Sequence, residues 1–432
     1  MSLTYFIVDA IKVGYITWVS VILIRLIITF ISSFSFIKQH RPPSSNSTQY
    51  ILVNRAVASF GFLQENKLQN RLVSRAIPNG RLVNVFGVDN AFTTTSVITY
   101  RRFIQRVGPG LRNKNPEKWH KFFNSASTTL DLILTDFRGV RYSLPVAIIA
   151  RQLVFVSTLH SFFNVDPKDV NLSDVGVATE LINILWVQSK TEPQPDSLRE
   201  GRIFLEVALQ RILPDKFPCS AQDHPLNIII PAYETMWRVV LLTFISAGFR
   251  DVDRETGEQF RKVLECVPKC FKGGKSKDMR TMAVNFSKEG LRLYPPTKSI
   301  YRAVPTEPQD SDFVTYDEQI IADIQECHRD PNIWINPTQF RPSRFLPGEF
   351  TDAMKNAYLP FSIAPHRCPA ADTFAPHAII VLVVVLAKGL GTLESGANVR
   401  FGDARLDGDT SALLPSGRLD MENWELEMND AV

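Results

Sequence analysis

Cys368 is the residue of this sequence best suited to metal or nucleophilic chemistry. It stands in a turn-rich stretch of small residues, PFSIAPHRCPA (residues 360–370), and an apolar helix is expected from about Thr373 to Leu390. A helix N-terminus stabilises an anion, so a cysteine that opens such a helix is expected to have a lowered pKa and to act as a soft, anionic ligand. The alternative is a buried structural cysteine at a helix start.

An acid and an alcohol stand side by side at Glu234 and Thr235. They lie inside a strongly apolar helical stretch, Ile228–Phe244, and Pro231 removes one helical hydrogen bond in the same turn. A carboxylate behind a hydroxyl can relay protons to a reacting group. The alternative is a pair of ordinary helix-surface residues, and the apolar surroundings argue against it.

A third set of residues is expected to be structural. Glu289 and Arg292 are three residues apart, which places them on one face of a helix where they can pair. Two prolines, 295 and 296, end that helix. The segment FRPSRF (residues 340–345) follows, with HRDP at residues 328–331 before it, and its Arg344 can join the same cluster.

Helices are expected to position most of these residues. Apolar residues at three- and four-residue spacing predict helices over Lys118–Leu134, Leu144–Phe163, Asp174–Gln188 and Ile228–Phe244, and over residues 276–294. Short β-like runs follow at Ser299–Val304 and Gln319–Ile324. The predicted fold is therefore mainly α with small β-sheets, and no boundary divides the body.

Composition excludes several classes of protein. The chain has 432 residues, of which 45% are hydrophobic and 21% charged, as in a globular protein with a large core. A net charge of +4, without a basic run that contains aromatic residues, argues against nucleic acid as a partner. The five cysteines form no C-x-x-C pair and no disulfide framework, which favours a reducing, cytosol-facing environment.

The N-terminal segment differs from the rest of the chain. Residues 13–37 are almost wholly apolar and long enough to cross a bilayer, and Lys38, His40 and Arg41 follow them. Positive charge on that side predicts a body in the cytosol. The expected organisation is a membrane anchor with its basic flank over residues 1–41, a Pro/Ser hinge over 42–49 and a catalytic domain over 50–432. The alternative, a buried or interfacial helix, is favoured by Arg25 in the middle of the apolar stretch.

The motifs, taken in order, resemble those of the cytochrome P-450 family over about residues 80–425. The cysteine loop resembles F-x-x-G-x-[R/H]-x-C-x-G, with Phe361, His366 and Cys368 in place and Ala364 and Ala370 where glycine is usual. The motifs E-x-x-R, F-x-P-x-R-F and [A/G]-G-x-[D/E]-T resemble the segments around residues 289, 344 and 234. The segment YETMWR (residues 233–238) is similar to that of fungal, membrane-anchored members.

This resemblance implies a helical prism around a buried haem b (iron protoporphyrin IX). Cys368 would be the axial ligand of the haem iron, Phe361 would shield the sulfur and His366 would hydrogen-bond a propionate. The other candidates for propionate contacts are Arg302, Tyr100 and Arg102, with Trp119 and His120 as a rival placement.

The same resemblance implies the catalytic roles. Glu234 and Thr235 would deliver protons during oxygen activation, and Glu289, Arg292 and Arg344 would hold the cysteine loop. One oxygen atom from O₂ would enter a lipophilic small molecule, in secondary metabolism. Electrons would come from NADPH through a flavin reductase, which Arg367 could contact. The expected location is the endoplasmic reticulum membrane, with a single span and the catalytic domain in the cytosol.

Two alternatives stay open. The protein could be a haem-thiolate isomerase or dehydratase that needs no reductase, although the presence of both Glu234 and Thr235 argues against it. It could instead be a degenerate, non-catalytic membrane scaffold, which Ala364, Ala370 and the short N-terminal region would favour.

Overall fold

A computed structural model of the protein describes residues 67–112, 115–137, 143–190, 197–270, 277–306, 315–364 and 366–427. The predicted anchor over residues 1–41 and the hinge over 42–49 lie outside the described residues, so both stay predictions.

Helices make up most of the described residues. In chain order they are α1 (Lys67–Ala76), α2 (Gly80–Phe86), α3 (Val97–Leu111), α4 (Pro116–Phe137), α5 (Val146–Phe163), α6 (Leu172–Gln188), α7 (Ser197–Ile212), α8 (Leu226–Ile229), α9 (Thr235–Gly248), α10 (Arg254–Cys270), α11 (Lys277–Leu293), α12 (Ile324–Cys327), α13 (Asp352–Ala357), α14 (Phe374–Leu390) and α15 (Ala404–Gly408). A π-helical turn (Ile230–Glu234) joins α8 to α9, and short 3₁₀ turns lie at Ile77–Asn79, Pro167–Asp169, Pro214–Lys216, Pro342–Phe345 and Leu393–Ser395.

Two small sheets complete the described fold. Strands β2 (Ser299–Thr306) and β3 (Thr315–Asp323) pair antiparallel, with Arg302 opposite Ile320. Strands β1 (Ser143–Pro145), β5 (Glu425–Glu427) and β4 (Asn398–Arg400) form an antiparallel sheet in that order. The prediction of a mainly helical fold with small sheets is confirmed, and the predicted late strands correspond to β2 and β3.

The core is built around helices that are apolar on almost every side. Along α9 and α14 nearly every side chain is buried, because neighbouring helices cover all of their faces. Three helical stretches are long and apolar enough to cross a membrane by length and composition, Val146–Phe163, Leu226–Gly248 and Phe374–Ser395. Within each of them, between 67% and 83% of an apolar stretch of 18 residues is buried inside the fold, so core packing accounts for their apolar sequences.

Gly290 permits the close approach of α11 to α9. A Cβ atom at this position would lie 1.8 Å from Oγ1 of Thr243 on α9. The glycine therefore stands between Glu289 and Arg292 for a packing reason. This contact sets the distance between α11, which carries Glu289 and Arg292, and α9, which begins at Thr235 directly after Glu234.

Candidate functional site

Backbone hydrogen bonds close the loop that carries Cys368. The N–H of Cys368 donates to the carbonyl of Phe361 at 2.9 Å, and the N–H of His366 donates to that of Ile363 at 2.9 Å. The chain reverses at Ser362, whose φ is +60°. The thiol of Cys368 is partly buried and free of any disulfide. The loop therefore holds one reduced cysteine at a fixed position between α13 and α14.

The expectation that Cys368 opens the long helix is wrong. Helix α14 begins at Phe374, six residues later, and a short run of turns lies between the two. The field of a helix terminus fades within one turn, so it gives the sulfur little support. Burial instead raises the pKa of the Cys368 thiol, and the N–H of Ala370 and the charge of Arg75 lower it only in part. A bound cation would be needed to hold the thiolate form at neutral pH.

Alanine fits both positions where the family has glycine. Neither Ala364 nor Ala370 takes a positive φ, and within the described part of the loop that conformation belongs to Ser362. A negative φ carries no penalty for alanine, so these two substitutions leave the loop backbone unstrained. The ring of Phe361 packs against the main hydrophobic core, and its carbonyl is the group that contacts Cys368.

A buried ion cluster lies at the C-terminal end of α11. Arg292 donates to Glu289 through Nε and Nη2, both at 2.8 Å, and Nε of Arg344 donates to the same carboxylate at 3.0 Å. Their side chains are at most 3% exposed. Burial alone would raise the pKa of Glu289, but the two arginines and the N–H of Arg341 outweigh it, and this pKa is lowered. The structure thus brings together the three residues that the sequence grouped.

His328 links this cluster to the cysteine loop, a role that the sequence analysis missed. Its Nδ1 lies 3.0 Å from the carbonyl of Arg292, and its Nε2 accepts the N–H of Leu359 at 2.8 Å. Nη1 of Arg292 donates back to the carbonyl of His328 at 2.6 Å. This geometry requires a neutral imidazole with its proton on Nδ1. Burial and the charge of Arg292 lower the pKa of His328 to about 3, which keeps it neutral.

The helix that carries Glu234 and Thr235 is distorted at the point where Pro231 predicts a defect. The π-helical turn spans Ile230–Glu234, and the hydroxyl of Thr235 donates to the carbonyl of Pro231 at 2.7 Å. Glu234 is buried, and its two oxygens accept hydrogen bonds from Nε and Nη2 of Arg418. Nothing in the sequence pattern pointed to Arg418, because it lies 184 residues away in a C-terminal loop.

Positive groups gather beside the cysteine loop. Arg302 is buried on β2, and its charge, with those of Arg75 and Arg71 on α1, acts on His366. Burial, followed by these arginines, lowers the pKa of His366 to about 2. Its Nε2 is buried and has no hydrogen-bond partner in the described part of the chain.

These residues fit a haem group. An open, buried imidazole nitrogen among arginines suits the carboxylates of haem propionates. A single reduced cysteine nearby supplies the soft sulfur that haem iron accepts. The arginines on α1 were not among the residues that the sequence indicated, although their spacing of four places them on one face of a helix.

The other residues predicted to contact the propionates do not join the group of basic residues around His366. Arg102 is exposed on α3 and donates to the side chain of Gln222 at 2.8 Å, and Tyr100 packs partly buried against the core. Trp119 of the rival pair is buried, and its ring lies 6.0 Å from that of Phe374 at the start of α14. No interaction of Tyr100, Arg102 or Trp119 within the described residues connects them to His366.

Arg367 has a partner within its own loop. Its Nη1 and Nη2 donate to Asp372 at 2.9 and 2.6 Å. The side chain is 48% exposed, but its charge is already paired. An acidic partner protein would therefore have to compete with Asp372 for this residue.

Known proteins similar to this chain agree on one family. Residues 275–372 match the sequence model of the Cytochrome P450 family. Cytochrome P450 4p1 of Drosophila melanogaster is 32% identical over 112 residues, and vinorine hydroxylase of Rauvolfia serpentina is 34% identical over 107. Carotene epsilon-monooxygenase of Arabidopsis thaliana is 29% identical over 180 residues. These matches cover 26%, 24% and 39% of this chain and 22%, 22% and 32% of those relatives, which are insect and plant proteins. The expectation of a fungal-type member stays a prediction.

Solved structures show the same fold. A six-coordinate cytochrome P450 from Thermus thermophilus superposes with a TM-score of 0.52 at 14% identity, and covers 72% of this chain and 78% of its own. A second structure from that species gives 0.52 at 15% identity, with 72% and 75% covered. The matched segment contains Cys368, Glu289, Arg292 and Arg344. Residues 275–372 of this chain are thus similar in sequence to the cytochrome P450 family, and the described fold is similar to that of its solved members, while the chain spans less than a third of the length of the curated relatives named above.

Proposed function

We propose that this protein is a haem-thiolate monooxygenase that inserts one oxygen atom from O₂ into a lipophilic small molecule. The observation that carries the proposal is the cysteine loop, where one reduced thiol lies beside a buried, open imidazole nitrogen and arginine charges. Haem b would supply both groups that such a site can bind: the iron cation for the sulfur and the propionate carboxylates for the basic side chains.

The residues of the site divide into ligand, anchors and scaffold. Cys368 would hold the haem iron, while His366 and Arg302 would bind the propionates. Haem, when bound, supplies the activation of dioxygen, which side chains alone cannot provide. The cluster of Glu289, Arg292 and Arg344 keeps the loop in place through His328 and the N–H of Leu359. Its role is to position the ligand rather than to react.

Thr235 and Glu234 would handle protons on the oxygen side. The hydroxyl proton of Thr235 is directed at the carbonyl of Pro231, and rotation about one bond would redirect it. The carboxylate of Glu234 can accept a proton once Arg418 releases one of its oxygens. Proton delivery therefore depends on how firmly Arg418 holds Glu234.

The proposed setting is the cytosolic face of the endoplasmic reticulum membrane. The apolar stretch over residues 13–37 and the basic residues after it support a single-span anchor. An NADPH-dependent flavin reductase would supply electrons. A place in secondary metabolism rests on the similarity of residues 233–238 to fungal members.

A carbon monoxide spectrum tests this proposal. Reduced, haem-loaded protein is expected to show the absorption band of thiolate-ligated haem, and Cys368→Ser is expected to lose it. Cys219→Ser, a change at another partly exposed free cysteine, is the matched control and should keep the band. Absence of the band in the haem-loaded wild-type protein would refute the proposal.

A second candidate function, a haem-thiolate isomerase or dehydratase, is favoured by one observation. Both oxygens of Glu234 are occupied by Arg418, so this acid is not free to deliver protons in the observed arrangement. Reductase-dependent consumption of NADPH and O₂ with product formation would support the monooxygenase. Conversion of an already oxygenated substrate without NADPH would support the second candidate.

A further inference from the structure

Two arginines flank the ring of Trp186 near the C-terminal end of α6, and the charges of two further basic residues interact with theirs. The guanidinium carbon of Arg418 lies 4.4 Å from the centre of the indole ring, and that of Arg81 lies 5.0 Å from it. Lys190 follows the same helix two residues after its end, and Arg238 on α9 is 4% exposed. We call Arg81, Lys190, Arg238 and Arg418 the Trp186 cluster.

The charge of the Trp186 cluster is poorly balanced. In the described part of the chain, Glu234 forms an ion pair with Arg418, and Asp420 acts on Arg238 through its charge without pairing with it, so two carboxylates face four basic residues. Burial and the neighbouring cations lower the pKa of Lys190 to about 8, although the residue as a whole is exposed. The same causes lower the pKa of Arg238 to about 10. Positive charge held this closely is unfavourable unless an anion joins it.

Several donors of the cluster remain available to such an anion. Arg81 donates from Nη1 to the hydroxyl of Ser189, which leaves its other N–H groups open. Arg418 uses Nε and Nη2 for Glu234 and keeps Nη1. The ammonium of Lys190 makes no hydrogen bond or ion pair to the described residues. Arg238 donates hydrogen bonds to the carbonyls of Ser416 and Pro296, so it contributes its positive charge to the cluster rather than a free donor.

Apolar surface adjoins these donors. The indole of Trp186 is partly exposed and supplies this surface, whereas the ring of Phe86 on α2, 6.2 Å from it, is buried. A molecule with an anionic head and an apolar body can therefore satisfy charge and apolar contact at the same place. The cluster also contacts Glu234, one of the two residues proposed to act on the oxygen side of the haem.

We propose that Arg81, Lys190 and Arg418 bind the anionic head group, a carboxylate or a phosphate, of a lipophilic substrate. The assignment of these three residues to a substrate-binding site rests on the proposed monooxygenase function, because in that function Glu234, the partner of Arg418, lies close to the reacting atoms. Bidentate arginines and a lysine ammonium match the oxygen atoms of either group. The substrate would then be a lipophilic acid rather than any lipophilic molecule.

Calorimetric titration of the full-length, haem-loaded protein tests the proposal with three probes that share one chain length, decanoate, decyl phosphate and decanol, below their micelle-forming concentrations. At least one anionic probe is expected to bind about tenfold or more tightly than decanol, since a charge-assisted hydrogen bond contributes about that factor. Preference for decanoate would identify a carboxylate site, and preference for decyl phosphate a phosphate site.

Two variants and a control assign the effect to the cluster. Arg81→Gln and Lys190→Gln are each expected to weaken the anionic probe about tenfold and to leave decanol unchanged. Arg254→Gln, at a residue 93% exposed on α10, is the matched control and should change nothing. Equal affinity for all three probes, binding of none of them, or anion binding that both variants leave intact would overturn the inference.

The carbon monoxide spectrum of the same samples keeps the two proposals distinguishable. A normal band together with no preference for anions would refute the anion site alone. Anion binding that depends on Arg81 and Lys190 in a protein without the band would refute the haem-thiolate function and leave the anion site standing.

Discussion

At the scale of single residues, the loop of Cys368 depends on charges that are buried together. Among the described residues, Glu289 is the one carboxylate in contact with both Arg292 and Arg344, and all three are almost wholly excluded from water. Removing one partner of a buried ion pair leaves an uncompensated charge in a region of low dielectric constant. Replacement of Glu289 should therefore destabilise the protein around this loop more than replacement of an exposed carboxylate.

Glu289→Gln is expected to lower the free energy of unfolding by about 3–5 kcal/mol, because two buried arginines lose their counter-charge. Urea denaturation followed by circular dichroism measures the change. Glu394→Gln is the matched control, since that carboxylate is 59% exposed and pairs with exposed Arg261. Equal stability of the two variants would contradict a structural role for the cluster.

His328 should make stability depend on acid pH. Its folded pKa of about 3 lies below the ordinary value of 6.5, so the unfolded chain binds a proton that the folded protein excludes. Stability is therefore complete above about pH 6.5 and is lost as the pH falls toward 3, by up to about 1.4 kcal/mol per pH unit.

Replacing the titrating group tests this dependence. His328→Gln is expected to flatten the difference between urea midpoints measured at pH 7 and pH 5. His120→Gln on α4, a histidine outside this network, is the control. An unchanged difference in His328→Gln would show that other groups cause the acid sensitivity.

At the scale of elements, the packing of α11 on α9 sets the site. The π-helical turn before α9 ends at Glu234, and α9 begins at Thr235. Gly290 lets α11 approach Thr243 in the middle of α9. The scaffold on α11 and the proposed proton-handling residues are therefore held by one helix contact.

Gly290→Ala is expected to lower the free energy of unfolding by about 1–3 kcal/mol, since its Cβ would lie 1.8 Å from Oγ1 of Thr243. Thr243→Ala in the same chain should recover part of that loss. Gly257→Ala on α10, where an added Cβ meets open space, should instead be neutral or stabilising. Thermal unfolding compares the variants, and a neutral Gly290→Ala would refute the close contact.

At the scale of the whole molecule, the apolar stretches are expected to lie in two different environments, the protein core and the membrane. Val146–Phe163, Leu226–Gly248 and Phe374–Ser395 have the length and composition of membrane spans, yet most of their residues are buried in the core. Residues 13–37 have a similar composition at the chain start, and we propose that the membrane takes up this segment.

Deletion of residues 2–41 is expected to move the protein from the carbonate-washed membrane fraction to the supernatant, because it removes the proposed anchor. A scrambled segment of the same composition over residues 13–37 should restore membrane retention, since length and hydropathy matter more than order. Immunoblots of the two fractions measure this. Full membrane retention of the deletion variant would contradict the anchor.

Much of the fold could be predicted from local pattern. The helix predicted over Lys118–Leu134 is observed as α4, and the one over residues 276–294 as α11, because apolar periodicity records which face is buried. The helix defect at Pro231 followed from its missing N–H. The apolar helix predicted from about Thr373 is observed as α14, which begins at Phe374. The run of turns between Cys368 and Phe374 did not follow, because it depends on contacts of the loop rather than on periodicity.

The sequence by itself determined the candidate ligand Cys368, the pairing of Glu289 with Arg292 and the family resemblance, since each depends on residues close together in the chain. Only the tertiary structure decided that Arg418 holds Glu234, that His328 joins the ion cluster to the cysteine loop, and that Arg81 packs on Trp186. These contacts join residues 31 to 184 positions apart, and no local spacing encodes them. Packing of distant helices and loops brings such charges together, and burial then determines how strongly they act on one another.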